Sequence, residues 1–194
     1  GFLLSNGALG DSDTLEIRKK LIQNDKVEAI IILPRELFIT TDISVTLWIL
    51  NQNKKGGEYH GRILRNREKE LLFMDLRTWT ENPVKNESKK KVLLSSEQIQ
   101  KAADIYHTWQ SEGTDGANYA VPELYRSVKT DEIEKKSWSL VPSKYIEFID
   151  HDSEIDYAVE MSRVQKEMRE VLAQEMKSQK MLEDAFRGIG YGIE

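Results

Sequence analysis

The pattern of apolar and polar positions in the first half of the chain predicts four β-strands. Three apolar runs cover residues 2–5, 27–33 and 45–50, and a fourth covers residues 71–75. The run at 27–33 is rich in β-branched residues, is nearly continuous, and stops at Pro34. A run of this kind is typical of a strand that is buried on both faces.

The connection between the second and third runs constrains how these two strands pair. It holds only about a dozen residues and shows no helical periodicity. A parallel pair needs a longer crossover, usually a helix, between its strands. We therefore expect residues 27–33 and 45–50 to pair antiparallel.

Apolar residues spaced three and four apart predict three helices, over residues 14–24, 96–111 and 153–187. The second helix has a cap signal, because Ser95 or Ser96 stands directly before it.

Other segments are less regular. Residues 80–92 are polar and lysine-rich and predict a loop, and residues 121–136 predict a partly helical segment. Residues 145–149 predict a short strand or an extended arm.

Composition and charge limit the partners that the chain can have. Its 194 residues, 39% of them hydrophobic, are enough for one domain with a core. The net charge is −5, whereas a free-standing nucleic-acid-binding domain is usually basic. Any DNA contact must therefore use a local basic patch. The lysine run at 89–91 fits either such a patch or a solvated loop.

Cysteine and histidine usage bears on metal sites and on the compartment. The chain has no cysteine, which excludes disulfides and thiolate metal sites and fits a reducing cytoplasm. Its three histidines lie far apart in sequence, so we expect no metal site. No apolar run reaches the length of a membrane-spanning helix and no signal peptide is apparent, so we expect no membrane association.

No self-contained catalytic motif stands out. The chain has no phosphate-binding glycine loop, no nucleophile elbow and no zinc-protease motif. Asp75 ends a predicted strand, a position that suits a functional acid in an α/β sheet and equally suits a turn former.

Four segments, in order, resemble the methylation subunits of bacterial type I restriction-modification systems, which are amino-type adenine-N6 DNA methyltransferases. Residues 2–10 resemble the family segment F-V-L-P-N-G-V-L-F, and residues 17–34 resemble I-R-x-x-L-x-x-x-x-x-V-E-A-I-I-x-L-P. Residues 37–54 resemble L-F-x-x-T-x-I-x-x-x-I-L-x-L-N-K-x-K, and residues 138–146 resemble N-L-x-P-x-R-Y-I. Each segment alone is common, but the four in this order are specific.

The resemblance implies an α/β fold with a Rossmann-like sheet. Residues 2–5, 27–33 and 45–50 would be its final three strands, and the last two would form an antiparallel hairpin. In this family the glycine-rich segment that binds S-adenosylmethionine and the N-P-P-F motif both precede these strands. Neither occurs here, and Asn82-Pro83 continues with Val84 instead.

We therefore expect no catalytic or cofactor-binding residue in this chain, with S-adenosylmethionine bound by an upstream half, and we predict that the chain alone is inactive. Because it opens at Gly1 directly on an apolar run, we interpret it as a carboxy-terminal fragment. Residues 1–79 would end the catalytic domain, residues 80–152 would form a mixed helical and loop region, and residues 153–194 would form a long amphipathic helical tail.

The resemblance also suggests residues for contact with DNA or with a base flipped out of the duplex. The candidates are Phe38, Thr41, Asp42, Trp48, Lys54 and Lys55. For several of them a structural role is the alternative. Trp48 lies inside an apolar strand and fits a core position, and Thr41 and Asp42 fit a simple turn.

The helical tail suggests protein partners. The resemblance implies that the carboxy-terminal helices pack on the helical spacers of a DNA-specificity subunit. It also implies that a restriction (nuclease) subunit completes the complex. The candidate contact residues here are Val164, Met168, Leu172 and Met176. The alternatives are a non-catalytic assembly module and a piece of a fused restriction-methylation enzyme.

The strand at residues 2–5 raises one further expectation. Without a preceding strand it would leave a sheet edge open. We expect either self-association through this edge or the helical tail, or cover of the edge by a neighbouring loop.

Overall fold

The computed structural model describes residues 1–38, 41–79, 83–86, 89–149 and 156–191. The chain divides into two units, Gly1–Ile149 and Asp150–Glu194. The described part of the first unit contains ten strands and three helices. The strands are β1 (Phe2–Ser5), β2 (Val27–Ile32), β3 (Val45–Leu50), β4 (Gly57–Tyr59), β5 (Arg62–Leu64), β6 (Glu70–Asp75), β7 (Pro83–Asn86), β8 (Lys89–Val92), β9 (Ala120–Val121) and β10 (Tyr125–Lys129). The helices are α1 (Leu15–Gln23), α2 (Ser96–Gln110) and α3 (Thr130–Lys135).

Six of the strands form one mixed sheet in the order β1-β3-β2-β6-β10-β9. Strands β2 and β3 pair antiparallel, with Ile30 opposite Trp48, which confirms the pairing expected from the short connection. Strand β6 lies parallel to β2 on its other side, with Ile32 opposite Asp75. The expectation that residues 2–5, 27–33 and 45–50 are the final three strands of the sheet is therefore wrong, because β6, β9 and β10 follow them in the same sheet.

The sheet separates two apolar clusters. All six residues of β2 are buried, as its continuous apolar pattern predicts. One cluster joins Trp48 and Phe73 to Ile22 of α1 and to Ile146. The other cluster joins the opposite sheet face to Trp109 of α2. Strand β6 precedes position 79 and β10 follows it, and the two strands pair with each other. The sheet therefore contains residues from both sides of position 79.

The predicted cap of the second helix is confirmed. The Ser95 side chain accepts a hydrogen bond from the backbone N–H of Gln98 at 3.1 Å, and the Gln98 side chain accepts one from the Ser95 N–H at 2.9 Å. This reciprocal capping box fixes the start of α2.

One segment differs from its prediction and two others agree in part. Residues 80–92 were expected to be a loop but contain the hairpin β7–β8, in which Lys85 lies opposite Lys90. The segment 121–136 is partly helical as predicted, since it contains α3, but strand β10 precedes that helix. Of the two alternatives for residues 145–149, the short strand does not form, and Tyr145 is buried just after a short 3₁₀ turn.

The edge strand β1 is exposed along its whole length. Its only partner in the described part of the sheet is β3. The expected cover by a neighbouring loop is therefore wrong among the described residues, while self-association through this edge stays a prediction.

The second unit contains α4 (Tyr157–Gly188), close to the predicted range of residues 153–187. The Asp156 side chain caps it by accepting from the backbone N–H groups of Ala158 at 3.0 Å and Val159 at 3.3 Å. Within the described residues, no helix has the length and apolar character needed to cross a membrane.

Candidate functional site

The carboxyl ends of the parallel strands β2 and β6 lie side by side. Ile32 is the register partner of Asp75, and the Leu76 N–H donates to the Ile32 carbonyl at 2.9 Å. In open α/β sheets, ligands bind beyond the carboxyl ends of parallel strands. We refer to the described residues 33–38, 41–44 and 76–79, which follow these two strands, as the carboxyl edge.

Three of the candidate DNA contacts lie at the carboxyl edge. Phe38 is partly buried against the cluster that contains Trp109. The Thr41 hydroxyl accepts from the Ile43 N–H at 3.4 Å, and the Asp42 carbonyl accepts from Arg35 Nε at 3.3 Å. Thr41 and Asp42 thus shape a turn, and contact of these three residues with DNA stays a prediction.

Trp48 is an interior residue rather than a surface for a base. Its side chain lies in the core, with the residue only 3% exposed. The indole N–H donates to Thr46 Oγ1 at 3.1 Å, and that hydroxyl donates to the Leu4 carbonyl at 3.1 Å. Its candidate role as an aromatic packer for DNA is therefore wrong, and the core position that its apolar strand suggests is correct.

Lys54 is also a structural residue. Its ammonium donates to Asp25 Oδ1 at 2.5 Å, the Val27 carbonyl at 3.1 Å and the Glu70 carbonyl at 2.6 Å. These three acceptors use all three N–H donors of the ammonium. Lys54 therefore has no donor left for a phosphate, whereas its neighbour Lys55 is exposed and stays a candidate.

Burial is the largest influence on the ionisation of Lys54. Desolvation lowers the pKa of its ammonium below the ordinary value, and the hydrogen bond and charge of Asp25 oppose that shift. Lys54 is thus an ion-pair partner that ties the end of β3 to β2 and β6.

Asp75 and Arg77 form a second ion pair, directly at the carboxyl edge. Asp75 Oδ2 accepts from Arg77 Nη2 at 2.6 Å and from Nε at 3.1 Å. Its Oδ1 accepts from the backbone N–H of Arg77 at 3.1 Å. Asp75 therefore forms a turn, one of the two roles that its strand-end position suits, and it also orients the Arg77 guanidinium. A functional role for this acid stays a prediction.

Sequence reasoning missed a buried charge in β2. Glu28 is fully buried, and its carboxylate accepts from Arg67 Nε at 2.8 Å, Asn51 Nδ2 at 2.6 Å and Gln110 Nε2 at 3.2 Å. This network joins β2, the end of β3 and α2. The signal in the sequence is a single acid inside an otherwise apolar run.

A second missed residue joins two of the segments that carry the resemblance. Arg18 of α1 donates to the carbonyls of Ala8, Asp11 and Trp138 and to the Thr14 hydroxyl. Close by, the Leu140 N–H donates to the Leu9 carbonyl at 2.8 Å. Segments 2–10 and 138–146 therefore meet in space. The signal is an arginine at an apolar position of an amphipathic helix.

No described glycine combines a positive φ with a place between a strand and a helix. Glycines at such a place let the backbone approach a nucleotide-like ligand. Gly7 and Gly10 lie between β1 and α1 but have no positive φ, and the glycines with positive φ lie elsewhere: Gly56, Gly57, Gly61, Gly113 and Gly190. Among the described residues, no group of three or more acidic, histidine or cysteine side chains is placed to hold a metal ion.

The four partner candidates of the helical tail are exposed in α4. Val164, Met168 and Leu172 fall on one face at spacings of four, and Met176 continues that row. Within its own unit, α4 has no buried residue. An amphipathic helix with an uncovered apolar stripe calls for a partner, but whether these residues contact one stays a prediction.

Comparison with known proteins agrees with this architecture. The family model for N-6 DNA methylases matches residues 1–154. The type I restriction enzyme MjaIX methylase subunit of Methanocaldococcus jannaschii is 27% identical over 192 residues, covering 98% of this chain and 32% of that protein. The HindI methylase subunit of Haemophilus influenzae is 29% identical over 194 residues, covering 97% of this chain and 39% of that protein.

The fold is similar to that of a solved type I restriction-modification methyltransferase subunit from Streptococcus thermophilus. The TM-score is 0.58 at 18% identity, over 76% of this chain and 26% of that one. This likeness confirms the α/β, Rossmann-like fold class. The chain spans only about a third of the length of the curated relatives that it matches. Because the family model covers most of the sequence, the chain belongs to the N-6 DNA methylase family.

Proposed function

We propose that this chain is the carboxy-terminal part of the methylase subunit of a type I restriction-modification system. The whole subunit would transfer a methyl group from S-adenosylmethionine to the N6 atom of adenine in DNA, and the chain alone would be inactive. The absence of cysteine supports a cytoplasmic location for it.

The observation that carries this proposal is the position of β3. It lies between β1 and β2 and runs antiparallel to both. This is the antiparallel hairpin that the resemblance to amino-type methyltransferases implies, although further strands follow it in the same sheet. Family membership and the alignment with methylase subunits over nearly the whole chain support the same proposal.

The described residues support a limited share of the reaction. The carboxyl edge offers the partly buried Phe38 as a wall beside an extrahelical base, and Lys55 is exposed for contact with phosphate. No described glycine with positive φ joins a strand to a helix, and the N-P-P-F motif is absent from all 194 residues. In this proposal, binding of the donor and orientation of the adenine amino group are tasks of the rest of the subunit.

A methyl-transfer assay tests the proposal. Duplex DNA is incubated with labelled S-adenosylmethionine and the purified chain, the complete methylase subunit that carries it, or that subunit with its specificity subunit. We expect N6-methyladenine only with the complete subunit, and most of it with the specificity subunit. Methyl transfer by this chain alone would overturn the proposed inactivity, and a product other than N6-methyladenine would overturn the reaction.

A second candidate function is assembly, which the uncovered apolar stripe of α4 favours. We propose that Val164, Met168, Leu172 and Met176 pack on helices of the specificity subunit. In proteins, most of the stability of an amphipathic helix comes from packing of its apolar face rather than from backbone propensity. Burial of this stripe against partner helices would supply the missing stabilisation.

Substitutions on the two faces of α4 test this assembly role. The double variant Met168→Glu with Leu172→Glu places two charges in the stripe, whereas Ala173→Glu with Lys177→Glu changes the opposite, polar face. We expect only the first variant to prevent formation of the complex, measured by light scattering of the complete subunits. Equal complex mass for both variants would contradict a docking role for the stripe.

A further inference from the structure

Arg77 is an exposed cation whose orientation is set by a buried acid. The side chain of Asp75 is 5% exposed and that of Arg77 is 44% exposed. Two carboxylate oxygens face the Nε and Nη2 groups, at 2.6 to 3.1 Å. The hydrogen bonds that Arg77 donates to Asp75 raise the pKa of its guanidinium above the ordinary value.

A simple turn does not require this arrangement. The turn needs only the hydrogen bond from the Arg77 backbone N–H to Asp75 Oδ1, which an asparagine could also accept. Burial of a carboxylate is costly, and here its partner is a single side chain that faces solvent. In the described part of the chain, Arg77 Nη1 has no hydrogen-bond partner. The guanidinium is thus held in one orientation with donors left for a second acceptor.

A second cation belongs to the carboxyl edge. Arg35 follows β2, the parallel neighbour of the strand that Arg77 follows, and it is exposed.

The carboxyl edge also holds two acids, Glu36 and Asp42, beside its two arginines. Its net charge therefore does not by itself attract an anion. Binding would depend on the fixed orientation and the free donors of the Arg77 guanidinium.

We propose that Arg77, oriented by Asp75, binds a backbone phosphate of duplex DNA, with Arg35 as a neighbouring phosphate contact. This inference rests on the proposed DNA methylase function and adds a contact that would position the duplex against the sheet. A guanidinium fork matches the oxygens of a phosphate, and a chain of net charge −5 can hold DNA only through such local cations.

Salt-dependent DNA binding tests the proposal. Fluorescence anisotropy of a labelled, mixed-sequence DNA duplex is measured with the complete methylase subunit between about 50 and about 200 mM salt. Each lost phosphate contact reduces the slope of log affinity against log salt by about 0.9. We expect Arg77→Gln to reduce the slope by about this amount and to weaken binding several-fold.

Three further variants make the assignment specific. Lys129→Gln removes an exposed charge at the opposite end of β10, beside the start of β6, and should leave slope and affinity unchanged. Arg77→Lys keeps the charge and should keep most of the slope. Asp75→Asn keeps a turn acceptor and the Arg77 charge, so it should weaken binding with little change of slope.

The outcomes separate this inference from the proposed function. If the unaltered subunit binds and methylates DNA but Arg77→Gln shows an unchanged slope and affinity, the phosphate site is overturned while the methylase function stands. An equal loss in Lys129→Gln also overturns it, because the effect would then be one of net charge. Failure of the unaltered subunit to bind DNA overturns both. Thermal unfolding by circular dichroism confirms that each variant is folded.

Discussion

Arg18 donates a hydrogen bond from Nε to the backbone carbonyl of Trp138, 3.2 Å away, across 120 positions of sequence. The same guanidinium holds the carbonyls of Ala8 and Asp11, in the turn that follows β1. One buried side chain therefore fixes the first and the last of the family segments against each other. Burial, the largest influence, lowers the pKa of Arg18, and Asp11 opposes that shift.

Arg18→Met should destabilise the first unit by about 3 kcal/mol, because three backbone carbonyls lose their buried donor. Lys20→Met, an exposed change on the same helix, should alter the free energy of unfolding by less than about 0.5 kcal/mol. Urea denaturation of both variants measures the difference. Equal stability of Arg18→Met and the unaltered chain would show that this arginine does not hold the two segments together.

Glu28 and Arg67 form a buried pair, with both side chains almost completely inaccessible. Replacement of either partner leaves the other charge buried, so Glu28→Gln or Arg67→Met should each cost about 3 to about 5 kcal/mol. The double variant should cost clearly less than the sum of the two. Additive losses in a double-mutant cycle would contradict the pair, and the exposed change Glu16→Gln serves as a control.

Lys54 and Lys55 are adjacent in sequence but differ in environment. Lys54→Met should destabilise the fold by about 3 kcal/mol, because Asp25 and two carbonyls lose their donor. Lys55→Met should leave stability unchanged. In the complete subunit, any effect on DNA affinity should come from Lys55. A stable Lys54→Met variant with a reduced salt slope would reverse this assignment.

Glu132 of α3 predicts a pH dependence of stability. Burial opposes its ionisation, but hydrogen bonds and charge from Lys136 and Arg126 outweigh that effect, and its pKa lies below the ordinary value of 4.5. A carboxyl with a lowered pKa adds stability above its unfolded-state pKa and loses it as pH falls through the folded-state pKa. Its partners are partly exposed, so the contribution is below about 1 kcal/mol.

Glu132→Gln should therefore be less stable than the unaltered chain near neutral pH, and the difference should shrink below about pH 4.5 and vanish at lower pH. Urea denaturation of both proteins, near neutral pH and again below about pH 4.5, measures this difference in the free energy of unfolding. Glu134→Gln, on an exposed position of the same helix, provides the matched comparison. A difference that is constant across pH would exclude Glu132 as its source.

The sequence predicted those parts of the fold whose signals are local. The continuous apolar run of β2 and the serine cap of α2 each depend on neighbouring residues, and both were predicted correctly. Strand β10 was missed because its polar residues are used by distant partners. Ser127, for instance, accepts the indole N–H of Trp109 at 2.9 Å, which no local pattern reveals.

The candidate site was predicted less well for the same reason. Lys54 stands in a polar segment that reads as exposed, yet its acceptors come from β2, from Glu70 and from Asp25. Asp75 and Arg77 are close in sequence, but their place beside the end of β2 depends on the parallel pairing of β2 with β6. Tertiary pairing, rather than residue type, decides which charges are structural.

Isothermal titration of S-adenosylmethionine into this 194-residue chain tests most directly the claim that it is part of a methylase but lacks the cofactor site. The complete subunit that carries the chain is the positive control. We predict no heat of binding for the chain alone. Binding of micromolar affinity by the chain alone would contradict the account.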